Sequence, residues 1–235
     1  MFANDVIQAA MDHARVEYPK ESCGIVSGGF YYEMENIAID KQSDFEIDAA
    51  EYLTFELDRG VDAVIHSHPD GVHCPTKADM EGQDASGVPW GIVPVDFGSP
   101  VRPFFWGDTL PVAPLLGRQF RMGIYDCYSL VRDWYRQTHG IILPVGPRDP
   151  LWWERGENII PENFAQAGFE EIDKLDIKEG DVIIGRVLGR VENHTGVYIG
   201  NGLILHHLYD RLSRREPLGP WMKYVTRILR HKDMK

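Results

Sequence analysis

The chain has 235 residues, of which 43% are apolar and 26% are charged, and it carries a formal net charge of −12 at pH 7. This balance is typical of a folded globular protein and excludes a collagen-like or intrinsically disordered chain. No stretch approaches the roughly 20 uninterrupted apolar residues of a membrane span, and acidic residues stand where a signal peptide would need an apolar run, so we expect a protein that starts in the cytoplasm.

Charge is distributed unevenly along the chain. Residues 1–110 hold 20 acidic and 6 basic side chains, a balance of −14, whereas residues 111–235 hold 16 acidic and 18 basic ones, a balance of +2. A stretch rich in proline and glycine at 108–117 separates these regions and predicts a short linker between two domains, 1–107 and 118–235. Basic residues crowd the C-terminus, but no aromatic-interleaved or helix-turn-helix pattern accompanies them, so we interpret them as a solvated face and expect no nucleic-acid partner.

The first domain is predicted to mix helices and strands without strict alternation, which is typical of the α+β class. Apolar residues recur at helical spacing after Asn4, a residue type that often caps helices, and the second predicted helix ends at Gly60. Helices are predicted over 4–17, 49–59 and 77–86, and strands over 23–27, 37–40, 61–66, 88–95 and 101–106.

The second domain is also predicted to be α+β, with one helix followed by a meander of strands. The stretch Gly200-Asn201-Gly202 separates two apolar runs and predicts a hairpin. A helix is predicted over 128–137, an irregular loop over 146–169, and strands over 181–187, 195–199, 203–208 and 224–230.

A pattern of metal ligands lies in the first domain. His66 and His68 alternate on a predicted strand, so both imidazoles point to one face and can reach one ion. Asp79 supplies an oxygen ligand from a helix start, and three protein ligands leave a position open for water, as in catalytic zinc sites. Such a site needs a carboxylate that takes the proton of the water, for which Glu21 is the candidate. The alternative is a capping box, in which Asp79 bonds to the backbone of Thr76 instead of binding metal.

The sequence Pro-x-Glu-x-Cys-Gly, followed later by His-x-His-Pro, six residues, Ser or Thr, two residues and Asp, resembles the JAMM family of zinc metallopeptidases over about residues 1–107. This resemblance implies an α/β/α metallopeptidase fold and a peptidase or isopeptidase activity. It further implies that Glu21 is the general acid and base and that Thr76, at a position usually occupied by Ser, stabilises the oxyanion. The implied ligands of the Zn²⁺ ion are His66, His68 and Asp79.

A cysteine nucleophile is predicted in the second domain. The three cysteines, an odd number in a chain without export signals, favour free thiols over disulfides. Cys127 falls in the first turn of a predicted helix, where the unpaired N–H groups and the helix dipole stabilise a thiolate and lower the thiol pKa. The alternative for Cys127 is a buried apolar cysteine that only packs.

The candidate base for this cysteine is His194, which opens a predicted strand. The residue that orients its ring depends on the register of the hairpin. A three-residue loop places His206 beside His194 and turns His207 to the opposite face, whereas a two-residue turn places His207 there instead.

Four features of the second domain together resemble the NlpC-type cysteine peptidases over about residues 118–235. These are Asp-Cys at a helix start, Gly-Asp-Val opening a strand, His-x-Gly-x-Tyr-Ile-Gly, and a histidine twelve residues after the first. The resemblance implies a papain-like fold with Cys127 as nucleophile and His194 as base, and the twelve-residue spacing favours His206 over His207 as the orienting residue. Members of this family commonly cut the peptide stems of peptidoglycan, which implies such stems as the substrate.

The order of the two domains and the stretch 117–135 resemble a family of tail-tip assembly proteins of lambda-like tailed phages. This resemblance implies a protein made in the host cytoplasm that works with other tail-tip proteins during assembly, with the virion tail tip as a further location. One hypothesis is an enzyme with two peptidase sites. The other is an assembly factor, or a processing peptidase of tail proteins, that acts mainly by binding other tail proteins.

Overall fold

The computed structural model describes residues 2–234. The chain forms two compact units, of which the first reaches to Pro75 and resumes over Glu81–Pro111. The second contains Thr76–Met80 and the chain from Val112 on. The division near residue 111 falls within the stretch 108–117, which carries neither helix nor strand. Within the described residues, no helix is both long and apolar enough to span a bilayer.

The N-terminal unit is built on one mixed sheet with strand order β2-β1-β3-β4-β5, and β6 pairs with β4. Strands β3 and β4 are parallel, and the other pairs are antiparallel. The strands are β1 (Cys23–Ser27), β2 (Phe30–Met34), β3 (Ala63–Pro69), β4 (Trp90–Asp96), β5 (Ser99–Pro100) and β6 (Phe104–Trp106). The helices are α1 (Asn4–Glu17), α2 (Ala49–Asp58) and α3 (Lys77–Ser86), and the first four residues of α3, 77–80, are grouped with the second unit.

Two details of this unit differ from the sequence-based expectation. Helix α1 begins at Asn4 as predicted, but Ala3 is the cap residue and makes no side-chain cap bond. The predicted strand 37–40 is wrong, because the chain turns back at once through Gly28 and Gly29, whose φ values are 57° and 83°. Positive φ at both central positions is typical of a tight two-residue hairpin, so the partner strand of β1 is β2 rather than a later segment.

The C-terminal unit contains a fully antiparallel sheet with strand order β11-β10-β9-β8-β12-β7. Its strands are β7 (Phe169–Ile172), β8 (Val182–Gly185), β9 (His194–Tyr198), β10 (Leu203–His206), β11 (Arg214–Pro217) and β12 (Val225–His231). Its α-helices are α4 (Cys127–His139) and α5 (Ile159–Gln166). Helix α4 packs against β9 and β10, which brings its N-terminus to the strands that carry the predicted histidines.

The span 146–169 was expected to be irregular, and this prediction is wrong in part. It contains a short 3₁₀ helix and α5, whose Ile160 and Phe164 are buried in the core of the unit. Pro161 lies in the first turn of α5, where proline is tolerated because its missing N–H would have no partner within the helix. Strands β7 and β11 were likewise not predicted.

Candidate functional sites

The two histidines of the N-terminal unit converge as predicted. His66 and His68 lie on β3, both are buried, and their Nε2 atoms are 3.1 Å apart. The Nδ1 atom of His68 lies 2.9 Å from the carbonyl oxygen of Val72. Because a carbonyl only accepts hydrogen bonds, this Nδ1 carries the proton, which leaves a lone pair on Nε2 for a metal ion.

Glu21 completes a cluster with these histidines. Its carboxylate and the two imidazoles offer ligand atoms within 4.8 Å of one another, the one such group of three among residues 2–234. Pairing of Cys23 with His66 places the start of β1 beside β3, and Glu21 lies just before it. Its backbone N–H donates to the Lys41 carbonyl at 2.6 Å. Imidazole nitrogens and carboxylate oxygens are ligand types that zinc binds, so the cluster fits a metal ion, with the Glu21 carboxylate beside it either as a ligand or as a proton acceptor.

Thr76 and Asp79 form the capping box that the sequence left as an alternative. The Oδ2 atom of Asp79 accepts hydrogen bonds from the backbone N–H of Thr76 at 2.7 Å and from its hydroxyl at 2.8 Å. The backbone N–H of Asp79 donates to Thr76 Oγ1 at 3.1 Å. Both residues belong to the segment 76–80, which is grouped with the C-terminal unit. Zinc ligation by Asp79 and oxyanion stabilisation by Thr76 stay predictions.

In the C-terminal unit, Cys127 is the first residue of α4, and Asp126 caps the helix. The Asp126 carboxylate accepts hydrogen bonds from the backbone N–H groups of Ser129 and Gly123, both at 2.9 Å. The buried guanidinium of Arg148 donates to both of its oxygens. Burial alone would raise the pKa of Asp126, but Arg148 and the two N–H groups hold it below its ordinary value. The cap is therefore an ionised carboxylate that fixes the start of α4.

The expectation of a lowered thiol pKa is wrong. Burial, followed by the neighbouring Asp126 carboxylate, raises the pKa of Cys127 to about 12, although the N–H groups of Thr195 and Tyr128 act in the opposite direction. Burial also lowers the pKa of His194 to about 3, with smaller contributions from other histidines. Cys127 is only partly exposed, and the partial charge of a helix N-terminus is too small to offset the loss of solvation of a thiolate there. At neutral pH the site therefore holds a protonated thiol and a neutral imidazole.

The hairpin has the register of a three-residue loop. His206 pairs with Gly196, and the Nε2 atom of His194 lies 3.0 Å from Nδ1 of His206. The prediction that His206 lies beside His194 is confirmed. His207 follows the last residue of β10, where strand alternation ends, and it lines the same cavity as Cys127.

Two polar residues around the histidines were not predicted. Glu216 on β11 accepts a hydrogen bond from Nε2 of His206 at 3.1 Å and from the indole N–H of Trp221 at 2.7 Å. Glu216 has no sequence signal, because it lies in a mostly exposed Arg-Arg-Glu-Pro run that the pattern did not identify as a strand.

A cavity of about 510 Å³ opens beside these groups. Cys127 and His194 both line it, together with the guanidinium-bearing Arg148 and Arg211. Many of the other lining side chains are aromatic, among them Phe120, Tyr128, Trp152, Trp153, Tyr209 and Trp221. A concave apolar site with a few convergent polar groups is the usual form of a substrate-binding site.

The sequence profile of the NlpC/P60 family matches residues 102–230, and that of the prokaryotic homologs of the JAB domain matches residues 3–106. Tail tip assembly protein K of Escherichia phage N15 is 37% identical over 239 aligned positions, covering 97% of this chain and 95% of the relative. Tail tip assembly protein K of Escherichia phage lambda is 32% identical, covering 77% of this chain and 87% of the relative.

Several solved structures resemble part of the chain, among them the following two. The NlpC/p60 domain of the peptidoglycan hydrolase SagA is 14% identical, with 49% of this chain and 89% of that domain covered and a TM-score of 0.35. Protein DSY2949 from Desulfitobacterium hafniense is 21% identical, with 46% of this chain and 84% of that protein covered and a TM-score of 0.38.

Proposed function

Because the chain belongs to the tail tip assembly protein K family, with a JAB-like domain followed by an NlpC/P60 domain of papain-like fold, we propose that its C-terminal unit is a cysteine endopeptidase that cleaves peptide stems of peptidoglycan. The observation that carries this proposal is the arrangement of Cys127, His194 and His206 beside one cavity. His206 holds one nitrogen of His194, and Cys127 shares the cavity with His194.

In this mechanism, His194 is the base and Cys127 is the nucleophile. The thiol proton moves to Nδ1 of His194, because Nε2 is engaged with His206. The sulfur then attacks the carbonyl carbon of the substrate amide, and the imidazolium returns the proton to the leaving amine, which yields a thioester and a free amine. Water hydrolyses the thioester, with His194 taking the proton of the water and the sulfur recovering a proton as it leaves.

Purified sacculi test this activity. Incubation with the full chain should release peptides with new termini, detected by mass spectrometry, and Cys127→Ala should release none. Cys74→Ala is a matched control, since it removes another thiol of the same chain and should leave the release unchanged. Equal release by the wild type and Cys127→Ala would contradict the proposal.

For the JAB-like domain at residues 3–106 we propose a zinc-dependent peptidase or isopeptidase of JAMM type. His66 and His68 would hold the ion together with Asp79, and bound zinc supplies Lewis acidity. Glu21, whose carboxylate belongs to the same cluster, would accept a proton from the water nucleophile and pass it to the leaving amine. Thr76 would stabilise the developing oxyanion through its hydroxyl.

This activity is tested on linear and isopeptide-linked peptides, with analysis of new termini. Glu21→Gln should abolish cleavage while the bound metal is retained, and Glu17→Gln, a matched change of an acid near the end of α1, should alter neither. Cleavage by Glu21→Gln at the wild-type rate would exclude the proposed role of Glu21.

The names of the relatives support a role in tail assembly, and we propose that the protein binds other tail-tip proteins in the host cytoplasm and reaches the virion tail tip with them. Complementation of a phage lacking this gene separates assembly from catalysis. If Cys127→Ala restores tail assembly but the particles infect poorly, cleavage acts after assembly. If Cys127→Ala fails to restore assembled tails, the cysteine acts on tail proteins instead.

A further inference from the structure

Beyond the three predicted residues, the hydrogen-bonded chain of the C-terminal site continues to a carboxylate. Nδ1 of His206 lies 3.0 Å from Nε2 of His194, and Nε2 of His206 lies 3.1 Å from Oε2 of Glu216. The His206 side chain is fully buried, and 24% of the Glu216 side chain is exposed. Glu216 is the last residue of this hydrogen-bonded series, and it determines which atom is the donor in each of the hydrogen bonds.

An ionised carboxylate can only accept hydrogen bonds, so Nε2 of His206 carries the proton. A neutral imidazole has one N–H, which leaves Nδ1 of His206 as an acceptor. The partner nitrogen, Nε2 of His194, must then be the donor. The lone pair of a neutral His194 is consequently on Nδ1, the nitrogen that remains for Cys127.

We propose that Glu216 is a positioning residue that fixes the tautomers of both histidines, so that His194 presents its lone pair to the thiol of Cys127. The inference rests on the proposed roles of Cys127 and His194. It adds that a residue outside the motif decides which nitrogen acts as the base.

The surroundings hold the Glu216 carboxylate in place. Its Oε2 atom also accepts from the indole N–H of Trp221 at 2.7 Å, and its Oε1 atom pairs with Arg214 at 2.7 Å. The Trp221 ring packs edge to face on His206, with centroids 4.6 Å apart. Because two N–H groups point at Oε2, only an oxygen at that position satisfies both.

The influences that lower the pKa of His206 outweigh those that raise it, which keeps His206 neutral. Burial lowers its pKa, and the Glu216 carboxylate raises it in part. Arg214, which faces His206 across the strand pair, and the adjacent His207 both lower this pKa further. A neutral His206 is what the tautomer argument requires.

Two substitutions separate the acceptor from the charge. Glu216→Leu removes the acceptor at similar size, whereas Glu216→Gln can keep an oxygen facing His206 and Trp221 while it removes the charge and turns an NH₂ group toward Arg214. Glu171→Leu, the same change in β7 at the opposite edge of the sheet, is the matched control.

The tautomers are read by long-range ¹H–¹⁵N NMR of the full chain with ¹⁵N-labelled histidine. In the wild type and in Glu216→Gln, His194 and His206 should both be protonated on Nε2. In Glu216→Leu, a population protonated on Nδ1 should appear at both rings. This measurement needs no substrate, so it tests the tautomer assignment even if the chain cleaves no sacculus.

The second readout is the rate of Cys127 alkylation by iodoacetamide across pH. Glu216→Leu should slow it about 10- to 100-fold, the size of the loss when an outer residue that orients a metal-binding imidazole is removed, and Glu216→Gln by only a few fold. If both histidines keep the wild-type tautomers in Glu216→Leu, the proposal is overturned, even if the rate of Cys127 alkylation falls. A slower rate with unchanged tautomers is what a purely structural role of Glu216 would give. If Glu216→Leu does not fold, protonation of Nδ1 in Glu216→Gln, or in the wild type itself, would overturn it.

Discussion

Replacing Arg148 by methionine should destabilise the C-terminal unit more than any change of a surface charge. The side chains of Arg148 and Asp126 are only 2% and 3% exposed. The guanidinium donates to both oxygens of Asp126 at 2.6–2.9 Å and to the Gly146 carbonyl at 2.6 Å. Methionine fills a similar volume but offers none of these donors, so the ionised cap of α4 would lose its counter-charge.

The magnitude follows from burial. Removing one partner of a buried ion pair costs about 3–5 kcal/mol, because an uncompensated charge stays in the protein interior. The exposed pair Arg155–Glu157, with side chains 48% and 39% exposed, is the matched comparison. Its loss through Arg155→Met should cost less than about 1 kcal/mol, since water already solvates both partners.

The pH dependence of this effect has a definite sign. In the wild type, the pKa of Asp126 is depressed, so its stabilising contribution is present above the unfolded pKa of about 3.9 and is lost as the pH falls through the folded pKa. In Arg148→Met, burial no longer has an opposing positive charge and raises the pKa of Asp126 above the unfolded value. The penalty is then largest at neutral pH and shrinks as the pH falls toward the raised pKa.

Amide hydrogen exchange of peptides from α4, measured by mass spectrometry on the full chain, reads this local free energy. A loss of about 3–5 kcal/mol should speed exchange roughly 10²- to 10⁴-fold at about 1.4 kcal/mol per tenfold. Asp126→Asn combined with Arg148→Met should be more stable than the sum of the single effects predicts, because it leaves no buried charge. Exchange in Arg148→Met that matches Arg155→Met would refute the reasoning.

Three further predictions concern the zinc content, the reactivity of Cys127 and the stability of the protein at acidic pH. His68→Ala should reduce bound zinc below one equivalent in metal analysis while Glu21→Gln keeps it, and full zinc in His68→Ala would favour the capping box alone. The alkylation rate of Cys127 should still rise above pH 9, because the thiolate is the reactive form and the pKa of the thiol is about 12. A rate that reaches its plateau near pH 7 would contradict the raised thiol pKa. The depressed pKa of His194, about 3, predicts that the free energy of unfolding falls from about pH 6.5 toward pH 3, as only the unfolded chain takes up this proton. Unfolding measured in His194→Gln should show a weaker pH dependence.

Local periodicity was enough to predict part of the fold. Helix α1 and strand β1 have the predicted bounds, because the apolar residues of α1 repeat at the helical period and β1 is a short run, buried along its whole length, that ends at the turn through Gly28 and Gly29. The partner of β1 was missed because a two-residue turn, not hydropathy, decides which segment pairs with it. Helix α5 was missed because Pro161 and the turn-forming residues before it outweigh a short apolar pattern.

The candidate sites also have features that local patterns predict and features that only the tertiary structure determines. The spacing within a motif predicted that His66 would face His68, and the twelve-residue spacing of the NlpC-type motif favoured His206 over His207 as the partner of His194. No local pattern could place Arg148 beside Asp126, because that pair joins residues 22 positions apart through an irregular segment. The predicted lowering of the Cys127 pKa was wrong for a related reason. Burial raises this pKa, and burial depends on tertiary packing that no local motif contains.

Both sites rely on an acceptor-only group that the motifs do not include. In the N-terminal unit, the Val72 carbonyl fixes the proton of His68 on Nδ1, and in the C-terminal unit, Glu216 fixes that of His206 on Nε2. A histidine with a fixed tautomer presents a defined lone pair, which a metal ion and a proton-accepting base both need. These acceptors can be backbone or side chain and can come from any segment that the fold brings near. A sequence motif therefore predicts which imidazole acts, whereas the three-dimensional structure decides which of its nitrogens does so.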